Sequence, residues 1–208
     1  ERLVGSEMCI RDRPGMTVAA PRDEATLRNL LYTAQAADCG PMAIRYPRGC
    51  GFSADWRTPM HALEIGRGEQ LAYGTDIAII STGTIAREVS EAIATLAAQG
   101  ISAAHYDMTF VKPLDTAMLR DIARSGMPVL TVEDGSIEGG LGTAVAAWMA
   151  DEGYHPAMRR LGIPDRFVAQ GSVAQLKKLC GIDAASIAEA AAGLAKILSP
   201  VKSAAICE

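Results

Sequence analysis

The chain has 208 residues, which is enough for one large domain or two small ones. Hydrophobic residues make up 49% and charged residues 21%, a globular composition that excludes disorder over most of the chain. No apolar run reaches the roughly 18 residues of a membrane span, and the N-terminus does not have the pattern of a secretory signal. We therefore expect no membrane partner and a cytoplasmic location.

The formal net charge of −4 leaves no overall basic field that could hold a nucleic acid backbone. The five cysteines form no C-x-x-C pair, so we interpret them as reduced thiols in a cytosol. None of the three histidines is spaced with another for metal ligation on a helix. These counts exclude nucleic acid as a partner and give no sign of a metal site.

The first part of the chain divides into three stretches. Residues 1–15 mix charged and apolar residues without a period, and we interpret them as a non-native or disordered segment. Residues 16–55 predict a strand over 17–20, a helix capped by Asp23 and running to about 37, and a strand over 42–46. Residues 56–74 contain glycines and a proline with little periodicity, and they predict a linker with an extended stretch over 63–65.

From residue 75 to 198 strands and helices alternate, and residues 199–208 follow as a tail. The apolar run over 76–81 is typical of a strand buried on both faces, and the helix after it has one apolar face. This alternation predicts an α/β fold with a mostly parallel sheet flanked by helices, preceded by the end of a second α/β domain. The predicted strands are 76–81, 101–106, 128–133 and 157–162, and the helices are 84–98, 115–124, 141–151, 172–179 and 183–197.

A pair of arginines lies in Arg45-Tyr46-Pro47-Arg48-Gly49, at the end of a predicted strand. Guanidinium groups bind phosphate bidentately, and ligands of open α/β sheets gather at the carboxyl ends of strands. The pattern therefore predicts a phosphate clamp. The alternative is that both arginines form surface ion pairs with acidic neighbours.

A second candidate is Glu133-Asp134-Gly135, followed by Gly139-Gly140-Leu141-Gly142 at the start of a predicted helix. The backbone amides there could hold an anion, although the spacing fits a dinucleotide fingerprint poorly. The alternative is that the glycines allow close packing of helix on strand and that the two acids are solvated or cap the helix.

Three other polar positions favour structural roles. Asp115 follows a lysine and a proline and is interpreted as a helix cap. Asp107 ends a strand and could contact a ligand, whereas His105 alternates with apolar residues and is more typical of a buried, hydrogen-bonded histidine. The sequence contains no G-x-S-x-G, P-loop or Ser/His/Asp pattern.

Five ordered segments together resemble the 1-deoxy-D-xylulose-5-phosphate synthases, a branch of the transketolase family. They include the letters RYPRG and GIPDRF, and the resemblance extends from residue 16 to about 195. Transketolases and the beta subunits of 2-oxoacid dehydrogenases share the wider architecture, while the pairing of RYPRG with GIPDRF favours the first branch. The segments are 16–49, 65–68, 106–115, 132–142 and 162–171.

The resemblance implies a transferase that uses thiamine diphosphate and Mg²⁺ to join a two-carbon unit from pyruvate to glyceraldehyde 3-phosphate. Such enzymes release CO₂, supply isoprenoid, thiamine and pyridoxal synthesis, and form homodimers at full length. Residues 16–55 would then end the pyrimidine-binding domain, and residues 75–198 would form the C-terminal domain. By motif match, Arg48 and, less directly, Arg45 would hold the phosphate of the aldehyde.

The chain departs from the family pattern at the coenzyme. It has no Gly-Asp-Gly motif, Asn29 is its only asparagine, and no residue matches the glutamate that activates the coenzyme ring. We therefore expect a C-terminal fragment without catalytic, cofactor-binding or metal residues, which binds neither thiamine diphosphate nor Mg²⁺ alone. The alternative is a non-catalytic subunit or module of a split transketolase or 2-oxoacid dehydrogenase beta-type enzyme.

Overall fold

A computed structural model of the protein describes residues 10–11, 13–36, 38–49, 51 and 57–196. Within these residues the chain forms two β-sheets and the helices that cover them. The strands are β1 (Thr17–Ala19), β2 (Met42–Ile44), β3 (Glu69–Ala72), β4 (Ile77–Thr82), β5 (Ala103–Asp107), β6 (Phe110–Lys112), β7 (Val129–Ser136) and β8 (Met158–Ile163). The α-helices are α1 (Glu24–Thr33), α2 (Ala86–Ala98), α3 (Thr116–Arg124), α4 (Leu141–Asp151), α5 (Val173–Cys180) and α6 (Ala184–Lys196).

Side-chain caps begin three of the helices where the sequence predicted them. Asp23 accepts a hydrogen bond from Thr26 N at 2.7 Å, and Asp115 accepts one from Met118 N at 2.9 Å. Ser172 and Gln175 form the predicted capping box of α5. Each cap satisfies amides that have no partner inside the helix, which fixes where the helix starts.

The larger sheet has the strand order β3-β5-β4-β7-β8. The pairs β4/β5, β4/β7 and β7/β8 are parallel, and only β3 runs antiparallel to its neighbour β5. The predicted mostly parallel sheet is therefore confirmed. The strand β3 lies inside the stretch 56–74 that the sequence predicted to be a linker, because pairing with β5 orders four residues that have little pattern of their own.

The smaller sheet has the order β2-β1-β6 and combines distant parts of the chain. Its β1 and β2 are parallel, whereas β6 comes from the later α/β region and pairs antiparallel to β1. Sequence patterning missed β6, since its three residues gain their order from β1. Lys112, at the end of β6, also donates hydrogen bonds to the carbonyl oxygens of Arg11 and Arg13 at 2.5 and 2.8 Å.

Helices cover both faces of the larger sheet. Apolar residues of α2 and α6 pack on one face against β4 and β7, and those of α3 and α4 pack on the other. A smaller cluster of Ala19, Leu30 and Phe110 joins α1 to the small sheet. Burial of the larger sheet on both faces explains why β4 begins with an unbroken apolar run over 77–80.

In the described part of the chain, no helix has both the length and the apolar character needed to cross a membrane. Cys39 and Cys180 are free thiols. The other three cysteines, Cys9, Cys50 and Cys207, lie outside the described residues.

Candidate functional site

The connections of the larger sheet diverge at the carboxyl ends of β4 and β7, and this topology places a crevice there. The chain passes from β4 through α2 to β5 on one side, and from β7 through α4 to β8 on the other. Connections that diverge in this way leave a gap between neighbouring strand ends, where ligands of open α/β sheets bind. Thr84 follows β4, and Glu133 and Asp134 lie in the last part of β7. Arg45 of the RYPRG segment, just after β2, contacts this crevice through Asp134.

Arg45 connects the small sheet to the crevice. Its Nη2 donates to Asp134 Oδ1 at 2.7 Å, and its Nη1 donates to the Asp134 carbonyl oxygen at 3.2 Å. Thr84 Oγ1 donates to the second carboxylate oxygen, Oδ2, at 3.2 Å. Arg45 is thus engaged in an ion pair, as the alternative interpretation of the sequence expected.

Arg48 is in a different environment. It lies beyond Pro47, its side chain is exposed, and no residue in the described ranges forms an ion pair or hydrogen bond with it. A guanidinium group in this position has its donors available for a planar anion such as a phosphate. The two arginines of the predicted clamp therefore differ: one is held by Asp134, and the other is open to solvent. Their assignment to a substrate phosphate stays a prediction.

The Glu133 side chain binds the free backbone amides at the start of α4. Its carboxylate is buried and accepts hydrogen bonds from Leu141 N and Gly142 N, each at 2.9 Å. A Cβ atom on Gly140 would lie 1.9 Å from Glu133 Oε2, so only glycine allows the carboxylate to come this close. The glycines here serve close packing and capping, because the protein's own carboxylate fills the place that an anion would take.

A second polar cluster lies where the loop after β1 meets β5. Arg22 Nη1 donates to Asp107 Oδ2 at 3.2 Å and to Glu69 Oε2 at 2.6 Å, and Thr109 Oγ1 donates to Asp107 Oδ2 at 2.8 Å. Asp107 is fully buried, and its Oδ1 has no hydrogen-bond partner among the described residues. Burial raises the pKa of Asp107 to about 6, although Thr109 and Arg22 act in the opposite direction.

His105 lies two residues before Asp107 on β5. Its Nε2 is 2.8 Å from Ser81 Oγ, and both side chains are buried. Burial, together with the nearby charge of Arg22, lowers the pKa of His105 to about 4. The interpretation of His105 as a buried, hydrogen-bonded histidine is confirmed. Because both side chains are at most 1% exposed and bond to each other, we interpret the pair as structural.

The described residues do not fit thiamine diphosphate with Mg²⁺. They contain no group of three His, Cys, Asp or Glu side chains arranged to hold a metal ion. Glu133 and Asp134 use both carboxylate oxygens for protein donors, and Asp107 uses one of its two. The amide of Asn29 contacts His61, with Nδ2 3.4 Å from His61 Nε2 and Oδ1 accepting from His61 N.

The fold of this chain is similar to that of two solved transketolase structures. A chain described as "Split gene transketolase, inactive beta4 tetramer" has a TM-score of 0.80 and 31% identity, covering 93% of this chain and 62% of that one. A transketolase from Leishmania mexicana has a TM-score of 0.65 over 93% of this chain and 27% of its own. At 16% identity, the second similarity concerns the fold alone.

The chain belongs to the transketolase C-terminal domain family, whose profile matches residues 66–187. Its curated relatives include 1-deoxy-D-xylulose-5-phosphate synthases. The one from Parabacteroides distasonis is 48% identical over 86% of this chain, and the one from Porphyromonas gingivalis is 49% identical over 86%. The chain spans 28% of the length of each of these two relatives. The resemblance inferred from the sequence is therefore confirmed.

Proposed function

We propose that this chain is the C-terminal part of a 1-deoxy-D-xylulose-5-phosphate synthase. The whole enzyme would condense pyruvate with glyceraldehyde 3-phosphate and release CO₂, which supplies isoprenoid, thiamine and pyridoxal synthesis. The observation that carries this proposal is 48% identity to the Parabacteroides distasonis synthase over 86% of this chain. We further propose a cytoplasmic homodimer at full length.

In this proposal the chain contains parts of two domains. Residues 16–55 end a pyrimidine-binding domain and 75–198 form the C-terminal domain, with 1–15 and 199–208 outside both. The stretch 56–74 connects the two domains and adds β3 to the larger sheet. Thiamine diphosphate and Mg²⁺ belong to the full-length enzyme and are held by parts other than the described residues. What this chain contributes is a cation for the acceptor substrate.

That cation is Arg48. The aldehyde acceptor carries a phosphate dianion, and the exposed guanidinium group of Arg48 can donate two parallel hydrogen bonds to its oxygens. The position is supported by the crevice at the carboxyl ends of β4 and β7, which the RYPRG segment borders through Arg45. Holding the phosphate orients the aldehyde and raises its local concentration at the reacting centre, but it does not change the aldehyde chemically.

The substitution Arg48→Ala tests this function. A suitable protein is a chimaera in which residues 16–196 replace the matching segment of the Parabacteroides distasonis enzyme. Loss of one charge-assisted contact should weaken the use of glyceraldehyde 3-phosphate by about 1.5 to 3 kcal/mol, or roughly 10- to 150-fold in KM. The use of D-glyceraldehyde, which lacks the phosphate, should not change.

The matched control is Arg124→Ala. Arg124 is also exposed, and it ends α3, which runs back from the strands and so ends at the opposite edge of the sheet. We expect this variant to use both acceptors as the unsubstituted chimaera does. An unchanged KM for glyceraldehyde 3-phosphate in the Arg48→Ala chimaera would remove Arg48 from the site.

The second candidate function is a non-catalytic subunit of a split transketolase or of a 2-oxoacid dehydrogenase beta-type enzyme. It is favoured by the 31% identity to a split-gene transketolase chain, of which this chain covers 62%. The DNA upstream of the coding region distinguishes the two candidates. A reading frame that continues into a Gly-Asp-Gly region supports the synthase fragment, whereas a start codon with its own ribosome site supports the subunit.

A further inference from the structure

We propose that Asp134 is a positioning residue for the phosphate of the acceptor. It holds Arg45, and through Arg45 it fixes the short loop from which Arg48 reaches the substrate. The inference rests on the proposed function, in which Arg48 binds that phosphate. Asp134 itself touches no substrate in this arrangement.

The contacts of Asp134 come from two separate parts of the protein. Arg45, just after β2, donates to both its carboxylate and its carbonyl oxygen, at 2.7 and 3.2 Å. Thr84, after β4, donates to the other carboxylate oxygen at 3.2 Å. Asp134 therefore fixes the end of the small sheet against the crevice of the larger sheet, with both carboxylate oxygens in use.

The environment makes this ion pair stronger than one on an open surface. The side chains of Arg45 and Asp134 are 31% and 23% exposed, so water screens their charges only in part. Gly83, with φ of 76°, lets the chain turn beside them, and a Cβ atom there would lie 3.4 Å from Asp134 Oδ1. The carboxylate thus lies against a turn whose backbone conformation favours glycine.

Because only two residues separate Arg45 from Arg48, fixing Arg45 also restricts the position of Arg48. Arg45 N donates to Ala19 O at 2.8 Å, so the start of the segment is held by β1 as well as by Asp134. Of the two residues in between, Pro47 has its φ angle fixed by its ring. With one end fixed and little freedom beyond it, Arg48 is held near the crevice rather than sampling a wide arc of solvent.

The role predicts an effect confined to the phosphorylated acceptor. In the chimaera, Asp134→Asn should raise the KM for glyceraldehyde 3-phosphate about fivefold and leave kcat within about twofold, because an amide holds Arg45 less firmly than a carboxylate does. The KM for D-glyceraldehyde should stay as it is. Asp134→Glu, which keeps the charge, should restore most of the affinity.

Two further variants exclude a loss of folding as the cause. Thr84→Val removes only the bond to Oδ2, and it should raise the same KM by a smaller factor. In the Arg48→Ala background, Asp134→Asn should add nothing, since the group that it positions is gone. If Asp134→Asn does not fold, the Thr84→Val chimaera and its Arg48→Ala double variant decide the question.

Other results would overturn the inference. An equal loss with both acceptors would give Asp134 a merely structural role, and a lower KM would mean that Asp134 withholds Arg45 from the phosphate. An unchanged KM in Asp134→Asn together with a raised KM in Arg48→Ala contradicts only the positioning role. An unchanged KM in Arg48→Ala contradicts the proposed function itself, so the two failures are distinguishable.

Discussion

Replacement of Gly74 by alanine should destabilise the 208-residue chain by about 3 kcal/mol, at the upper end of the usual cost of overpacking. Gly74 lies between β3 and β4 and presses against β5. A Cβ atom there would lie 2.2 Å from Ala103 C and 2.3 Å from Ala104 N. Both obstacles are backbone atoms of a buried strand paired on both sides, so no side-chain rotation relieves the clash.

The matched control is Gly193→Ala in α6. Nothing lies within 4 Å of a Cβ atom at this position, and glycine inside a helix costs up to about 1 kcal/mol relative to alanine. Urea unfolding should therefore show a lower midpoint for Gly74→Ala and an equal or higher midpoint for Gly193→Ala. A Gly74→Ala midpoint equal to that of the unsubstituted chain would mean that the backbone at Gly74 does not approach β5 as described.

Substitution of Asp107 and of His105 should change the pH dependence of stability in opposite directions. The pKa of the Asp107 carboxyl rises from 3.8 to about 6 on folding, whereas the pKa of the His105 imidazole falls from 6.5 to about 4. The charged groups that face the pair are Arg22, with Glu69 and Asp23 bonded to it. Each shift corresponds to a contribution of up to about 3 kcal/mol.

The signs follow from proton binding. Between pH 3.8 and 6 the folded protein keeps a proton on Asp107 that the unfolded chain has lost, so this contribution to stability disappears as pH rises through about 6. Between pH 6.5 and 4 His105 is protonated in the unfolded chain but stays neutral in the folded protein. Proton uptake therefore favours the unfolded chain, and this contribution to stability disappears as pH falls through about 4. In the unsubstituted protein the two effects largely cancel.

The measurement is the free energy of unfolding at several pH values from 4 to 7. Relative to the unsubstituted chain, Asp107→Asn should gain stability with rising pH, and His105→Gln should lose it over the same range. The control is His155→Gln, which replaces an exposed histidine and should change stability by less than about 0.5 kcal/mol. Parallel curves for Asp107→Asn, His105→Gln and the unsubstituted chain would contradict the burial and charges described for this cluster.

Local sequence patterns were sufficient for most of the larger sheet. The strand at 77–82, the helix ending at Ala98 and the caps at Asp115 and Ser172 depend on periodicity and on side chains that bond amides three residues away. Such signals lie within a few residues of one another, so sequence reasoning detects them. The strands β3 and β6 have only four and three residues, and distant partners order them.

The candidate site combines residues that are far apart along the chain. Arg45 and Asp134 are separated by 89 residues, and Arg22 and Asp107 by 85. The sequence indicates Arg45, Asp134 and Asp107 as separate candidates, but it does not predict the pairing of Arg45 with Asp134 or of Arg22 with Asp107. Only the pairing of β6 with β1, and of β2 with β1 at the crevice, brings these groups together.

The most direct test compares the 208-residue chain with the chimaera in one assay of 1-deoxy-D-xylulose 5-phosphate formation, with pyruvate, glyceraldehyde 3-phosphate, thiamine diphosphate and Mg²⁺ present. We expect product from the chimaera and none from the chain alone, because the described residues contain no group of three His, Cys, Asp or Glu side chains arranged to hold the metal ion. Turnover by the chain alone would contradict this account.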